Sequence, residues 1–194
     1  MWALIQRGKF SVNVNMEMKV KFIEALHKSQ YDIVGSLASK IWREHYGSIL
    51  SPEQIDYMLL KFQSSEAVGK QIEELGYRYF MIYVEDSGSA EKLCGGEAVP
   101  VGYIGVKSEN GKLFLSKFYI LDEWRGKGIG SAGMQYIFKF AVYNGDSSVW
   151  LTVNKYNSTT IEIYRHLGFG TVAEQVADIG NGYVMDDFIM EKEL

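Results

Sequence analysis

Between Phe118 and Gly130 the chain reads Phe-Tyr-Ile-Leu-Asp-Glu-Trp-Arg-Gly-Lys-Gly-Ile-Gly, a strand-like run that turns through glycines into a helical pattern. Residues of these types in this order can hold an anion. N–H groups at a helix start lack intrahelical partners, the helix dipole adds positive charge there, and glycines let pyrophosphate oxygens approach the backbone. Arg125 and Lys127 add local positive charge to a chain whose formal net charge is −4. The same glycines also suit a tight strand-to-helix turn with no ligand, and both readings stand at this point.

Two other phosphate motifs compete for the segment. Gly128, Gly130 and Gly133 match the dinucleotide pattern G-x-G-x-x-G. That fingerprint, however, follows its strand almost at once and needs an acid near the end of the next strand, where Asn154 and Lys155 stand. A P-loop requires Gly, four residues and then Gly-Lys-Ser/Thr, which the chain lacks.

A second segment carries further chemistry. Val153 to Phe169 reads Val-Asn-Lys-Tyr-Asn-Ser-Thr-Thr-Ile-Glu-Ile-Tyr-Arg-His-Leu-Gly-Phe. By type Asn157 is a helix N-cap, and Tyr164, three residues after Ile161 and three before Leu167, suits a core side chain of that helix. The histidines, His27, His45 and His166, are scattered without ligand spacing, so no metal is expected. The single cysteine, Cys94, cannot form an internal disulfide and fits a reducing, cytoplasmic setting.

Taken together, the two segments resemble the two signatures of the GNAT N-acetyltransferases: the Arg125–Gly130 loop after a strand, then an Asn opening a helix that closes on Tyr and Leu-Gly-Phe. The resemblance is strongest from Lys112 to Phe169. It implies acetyl-CoA as cosubstrate, held by Phe118, Tyr119, Ile120, Arg125, Gly126, Lys127, Gly128, Ile129, Gly130, Ser131 and Asn157. It implies a strand Phe118 to Ile120 splayed from its neighbour, with the Ile120 N–H stabilising the oxyanion that forms as an amine attacks the thioester. It also implies Tyr164 as the acid that protonates the departing thiolate.

A free alkyl amine resembles lysine, with a pKa of about 10, so a proton must be removed before it attacks. Many family members keep a glutamate on the strand before the second signature; here Thr152 occupies that region. Glu97, Asp122, His166 or a chain of waters remain for the task. The alternative function is a non-catalytic acyl-CoA binder or sensor that uses the same loop.

The elements that must position these residues follow from periodicity. Met18 to Ile23 alternates at period two as a short strand with one wet face. Ile33, Leu37, Ile41 and Trp42 recur at helical spacing, Ser51-Pro52-Glu53 opens another helix, and a third runs from Ser65 to Leu75, ending at Gly76. Tyr77–Glu85, Glu97–Lys107 and Lys112–Leu121 read as an antiparallel meander, with Asn110-Gly111 as a hairpin turn. A helix from about Gly128 to Val142 follows, with Ile129, Ala132, Gly133, Tyr136, Ile137, Phe140 and Ala141 on one stripe. Then come a strand Ser148–Val153, a helix Asn157–Leu167, and strands near Phe169–Val176 and Tyr183–Met190.

The expected fold is α/β of the α+β type, a GNAT-like, mixed, mostly antiparallel sheet of about six or seven strands flanked by helices. No internal repeat or linker divides the chain, so residues 16–194 read as a single N-acetyltransferase domain after a loosely attached extension, 1–15, with Met16 as an alternative start. The aromatic and polar run Trp42-Arg43-Glu44-His45-Tyr46 suits either a wall of the acceptor pocket or a helix C-terminus before Gly47. Asp186-Asp187 reads as solvated edge charge, or as an attraction for a cationic substrate.

At 194 residues with 47% hydrophobic and 23% charged side chains, the chain can bury its own core. The net charge of −4 and the absence of a Lys/Arg run argue against nucleic acid. Arg7 and Lys9 interrupt any signal-like apolar region, and no apolar run reaches the roughly 18 residues that span a membrane. The expected partners are acetyl-CoA and an amine, with a homodimer through the apolar C-terminal strands.

Overall fold

The computed structural model describes residues 9–13, 18–47, 50–86 and 98–194, so Met16, Cys94 and Glu97 lie outside the described residues. The elements are β1 (Lys9–Asn13), β2 (Met18–Glu24), α1 (Lys28–Tyr46), α2 (Pro52–Met58), a π-helical turn Leu59–Gln63, α3 (Ser65–Leu75), β3 (Arg78–Asp86), β4 (Val99–Glu109), β5 (Lys112–Ile120), a 3-10 turn Asp122–Trp124, α4 (Ile129–Asn144), β6 (Ser148–Asn154), α5 (Ser158–His166), β7 (Gly170–Gly180) and β8 (Tyr183–Glu193). The strands form one eight-stranded sheet in the order β1-β2-β3-β4-β5-β6-β8-β7. The expected mixed, mostly antiparallel sheet is present, with eight strands among the described residues rather than six or seven. The extra one is β1, which falls in the segment expected to be loosely attached and pairs with β2 antiparallel from Lys9↔Ile23 to Asn13↔Lys19.

The chain divides into two compact units, described separately. The first takes in the chain up to Gly105 together with Lys117–Tyr136. In it, β2 shows the alternation read from its sequence, with Val20 and Phe22 fully buried. Glu24, on the same face, is neutralised by a bidentate pair with Arg78 at 2.6 and 2.8 Å. Ser51 caps α2 by accepting from Gln54 N, Pro52 stands in its first turn, and α3 stops at Gly76 with φ 75°. Phe22 stacks on Tyr136 of α4 with centroids 4.5 Å apart.

The second unit comprises Val106–Ser116 and Ile137–Leu194. Asn110 and Gly111 turn its first hairpin with φ 54° and 73°, the pair of left-handed residues that a type I′ turn demands. The β5–β6 pairing, Leu113↔Val149 and Phe114↔Trp150, is parallel, and the Phe114 and Trp150 rings stack at 4.1 Å. β8 pairs antiparallel with both β6 and β7. Every member of the predicted α4 stripe, Ile129 to Ala141, is buried.

Candidate functional site

In the first unit, β5 delivers its last residues to a turn built by three backbone hydrogen bonds: Leu121 N to Val101 O at 2.9 Å, Trp124 N to Leu121 O at 2.9 Å and Arg125 N to Asp122 O at 3.0 Å. Gly126 and Gly128 follow with φ of 72° and 80°, a conformation costly for any residue with a Cβ. The first i to i−4 bond of α4 runs from Ala132 N to Gly128 O. The N–H groups of Ile129, Gly130 and Ser131 therefore stand at the helix start ahead of its hydrogen-bond ladder, where helix geometry gives them no internal partner.

Gly130 separates the two readings of this loop. Its φ lies outside the left-handed region, and a Cβ there would meet nothing nearer than Ile120 Cδ1 at 3.9 Å. Neither backbone nor packing requires glycine at that position. The position lies in the first turn of a helix, where N–H groups ahead of the ladder can receive an anion. The donors and the cleared backbone fit the pyrophosphate of a coenzyme A.

The neighbouring glycine, Gly133, has a packing role. A Cβ there would stand 2.5 Å from Phe118 Cζ, so α4 lies directly on the Phe118 ring. Tyr119, the next residue, has its ring 5.4 Å from that of Tyr103 and 5.9 Å from that of Trp42. A Cβ on Gly102 of β4 would fall 2.3 Å from Tyr119 O and 3.1 Å from Ile120 Cα, so β4 approaches this stretch of β5 as only a glycine can.

The two basic residues of the loop differ in their roles. Arg125 is folded back over the turn, donating from Nε to Ile120 O at 3.0 Å and from Nη1 to Asp122 Oδ1 at 3.0 Å. Lys127 is exposed, with its ammonium 4.7 Å from the Trp124 ring centroid. Within the aromatic run on α1, Trp42 is buried and Tyr46 packs on it at 4.7 Å, whereas Arg43 reaches out to Asp56 at 2.7 Å. His45 is held below its ordinary pKa, first by burial and then by the charge of Arg125, with Asp122 opposing.

Lys117, immediately before Phe118, carries no signal in the sequence. Its Nζ donates to Gln71 Oε1 at 3.0 Å, an oxygen that also accepts from the Tyr79 hydroxyl at 2.8 Å. The Tyr77 and Tyr79 rings flank the ammonium, and burial pulls its pKa down to about 7.

The second unit holds Asn157 and Tyr164. Asn157 caps α5, its Oδ1 accepting from Thr160 N at 3.4 Å, and the ring of Tyr164 meets Phe169 edge-on at 5.5 Å. The two residues stand at opposite ends of α5, about 10 Å apart along its axis at 1.5 Å per residue. His166 is exposed, with Nδ1 2.7 Å from Glu162 O. Asp122, in the first unit, is exposed and committed to Arg125. Thr152 lies on β6 as the register requires.

The aspartates of β8 correct an expectation. β8 is an inner strand, covered by β7, and Asp187 is 1% exposed, so it is not a solvated edge charge. Asp186 instead pairs with Lys155 at 2.6 Å. Among the described residues, no group of three or more His, Cys, Asp or Glu could hold a metal ion, and no helix is long and apolar enough to cross a membrane.

The model of the acetyltransferase (GNAT) family matches residues 39–169, a span that includes both the loop and α5. The chain belongs to the GNAT family. It is an acetyl-CoA-dependent N-acetyltransferase, an acyltransferase with acetyl-CoA as its cosubstrate. Among solved structures, the PaiA N-acetyltransferase of Thermoplasma acidophilum in complex with coenzyme A is similar with a TM-score of 0.68 and 22% identity, over 92% of this chain and 100% of that one. YncA of Salmonella typhimurium with acetyl-CoA is similar with a TM-score of 0.55 and 19% identity, over 92% of this chain and 94% of that one. A mutant of the spermidine N-acetyltransferase SpeG of Vibrio cholerae gives a TM-score of 0.57 and 18% identity, over 92% and 95%. At these identities the likeness is one of fold. No curated protein matches the sequence.

Proposed function

We propose that this GNAT protein transfers the acetyl group to a primary amine by direct attack on the thioester, with the cofactor held at the loop Arg125–Gly130. Acetyl-CoA supplies the activated acetyl group. The chain's own residues bind, orient and move protons. The N–H groups of Ile129, Gly130 and Ser131 receive the pyrophosphate, with Gly126 and Gly128 shaping the turn and Lys127 adding charge at its rim. Arg125 acts mainly as a brace, through Ile120 O and Asp122. The backbone of Phe118, Tyr119 and Ile120 receives the pantetheine arm, and the Ile120 N–H holds the carbonyl oxygen. Asn157 contacts the same arm while capping α5, and Tyr164 gives its proton to the leaving sulfur.

The observation that carries this reading is Gly130, a glycine that neither φ nor packing demands, at a helix start. We further propose a single working domain over residues 16–194, a cytoplasmic setting, and a homodimer formed through the C-terminal strands. The exposed valines Val172, Val176 and Val184 on β7 and β8 support the dimer.

Incubation with acetyl-CoA and a panel of amines, with thiol release followed by a colorimetric reagent, tests the proposal. Spermidine belongs in the panel because SpeG acts on it. Release that rises with one amine is the expected result. Coenzyme A binding without acceptor-dependent release would replace the enzyme with an acyl-CoA sensor.

A further inference from the structure

The two residues that flank Phe118 on β5 are tied to one place among the helices of the first unit. Lys117 donates from Nζ to Gln71 Oε1 at 3.0 Å, and Gln71 donates from Nε2 to Phe62 O at 3.1 Å. Tyr119 has its ring 5.4 Å from that of Tyr103, whose hydroxyl donates to Gln63 Oε1 at 3.0 Å. Phe62 and Gln63 are neighbours in the π-helical turn Leu59–Gln63. Residues 117 and 119 share one face of a strand, so that face of β5 is held at two points by the same turn. Phe118, on the other face, lies against Gly133 of α4.

Lysine is a costly residue for such a tie. Its side chain is buried, with the Tyr77 and Tyr79 ring centroids each 5.4 Å from the ammonium. On β4, a Cβ at Gly105 would stand 3.3 Å from Lys117 Cβ and 3.1 Å from Tyr79 Cε1, so the strand leaves the pair only the room of a glycine. Burial pulls the Lys117 pKa down to about 7 and pushes that of Tyr79 well up. Tyr79 therefore stays neutral, and Lys117 changes charge near neutral pH. An apolar side chain of the same length would avoid the desolvation, and groups perturbed in this way concentrate at functional sites. The ammonium also makes the firmer tie: it carries three donors where the neutral amine has two, and the ring faces attract only the charged form.

We propose that Lys117 is a positioning residue for the cofactor, which in its charged form pins the end of β5 to Gln71 and is itself favoured when an anionic coenzyme A binds to the same unit. This rests on the acetyltransferase reading, in which the backbone of Phe118, Tyr119 and Ile120 receives the pantetheine arm. Linkage fixes the sign. Binding that favours the ammonium raises its pKa in the complex, so affinity is highest below about 7 and falls as pH rises through that value.

The test is calorimetry of acetyl-CoA with the full chain, wild type and Lys117→Met, between pH 6 and 8.5. The phosphate monoester of the ligand, which ionises near pH 6, and His45 titrate with both proteins, so the difference between the two profiles belongs to Lys117. At pH 6 the wild type is expected to bind more tightly than the variant by roughly threefold or more, and that advantage should shrink as pH rises through the Lys117 transition. A merely structural tie would keep the two profiles parallel. Parallel profiles, or equal affinities at pH 6, overturn the proposal and leave the cofactor reading intact. No binding of acetyl-CoA by the wild type at any pH overturns the cofactor reading and the proposal with it.

Discussion

Replacing Gly130 by alanine should move stability and cofactor affinity in opposite directions. The new methyl group would meet only Ile120 Cδ1, at 3.9 Å, an ordinary van der Waals contact. The backbone there is helical and free of positive φ. Alanine is favoured over glycine inside a helix by about 0.5–1 kcal/mol, and less in a first turn. For a domain of this size 1 kcal/mol corresponds to about 2–4 °C, so Tm should rise by about 1–3 °C. On the proposed reading, the same methyl crowds the pyrophosphate that the N–H groups of Ile129 to Ser131 receive. Hydrogen bonds to a charged group contribute about 1.5–3 kcal/mol each, so loss of one weakens coenzyme A by roughly 10- to 100-fold. Scanning fluorimetry of the free protein and calorimetry with coenzyme A measure the two effects. A raised Tm with unchanged affinity would leave the loop as a turn and nothing more, and a lowered Tm would contradict the packing described.

Three further outcomes follow from the same geometry. Gly102→Ala drives a Cβ to 2.3 Å from the Tyr119 carbonyl oxygen; overpacking against backbone should cost about 1–3 kcal/mol, read as a lower Tm together with weaker coenzyme A binding. Tyr164→Phe should retain coenzyme A affinity and lower kcat by at least tenfold; unchanged kcat would remove Tyr164 as the required acid. Lys117→Met should stabilise the protein by an amount on the order of 3 kcal/mol at pH 7, since a pKa depressed by burial from 10.5 to about 7 is a cost of folding the charged form. The wild type gains stability as pH rises from about 7 towards 10.5, so the difference in Tm between the two proteins should shrink over that window.

Local chemistry was legible in the sequence wherever one residue type answers one backbone demand. Asn110-Gly111 named its turn, Gly76 its helix stop, Ser51-Pro52 its helix start and Asn157 its cap. The 3.6-residue repeat of α4 named its buried face position by position, because a helix needs only its own sequence to define a stripe. The strand β1, Lys-Phe-Ser-Val-Asn, does alternate polar and apolar residues, but over only five positions beside the charged Arg7 and Lys9, and its pairing with β2 is what marks it as a strand. The hairpin at Asn181-Gly182, with φ of 56° and 77°, is the same turn chemistry as at Asn110-Gly111 and could have been read the same way.

The turn of the loop was legible in the sequence, and the burial of charged strand residues was not. Arg125 has the right charge for an anion, yet its nearest acceptors are Ile120 O and Asp122, a local geometry that residue type does not reveal. Lys117 and Asp187 are ordinary charged letters in strands. Their burial arises from elements distant in sequence, α3 and β3 for the first, β6 and β7 for the second. Gly130 is the reverse case: the letter was visible, and only the fold reveals that neither φ nor packing explains it.

The central claim is met most directly by mass spectrometry of the amine after incubation with acetyl-CoA labelled with carbon-13 in the acetyl group, using the wild type and Gly130→Ala in parallel. The claim predicts one labelled acetyl group on the amine, formed by the wild type and, at a cofactor concentration below saturation, at least tenfold more slowly by the variant. Label recovered only as free acetate or intact acetyl-CoA across the amine panel would contradict it.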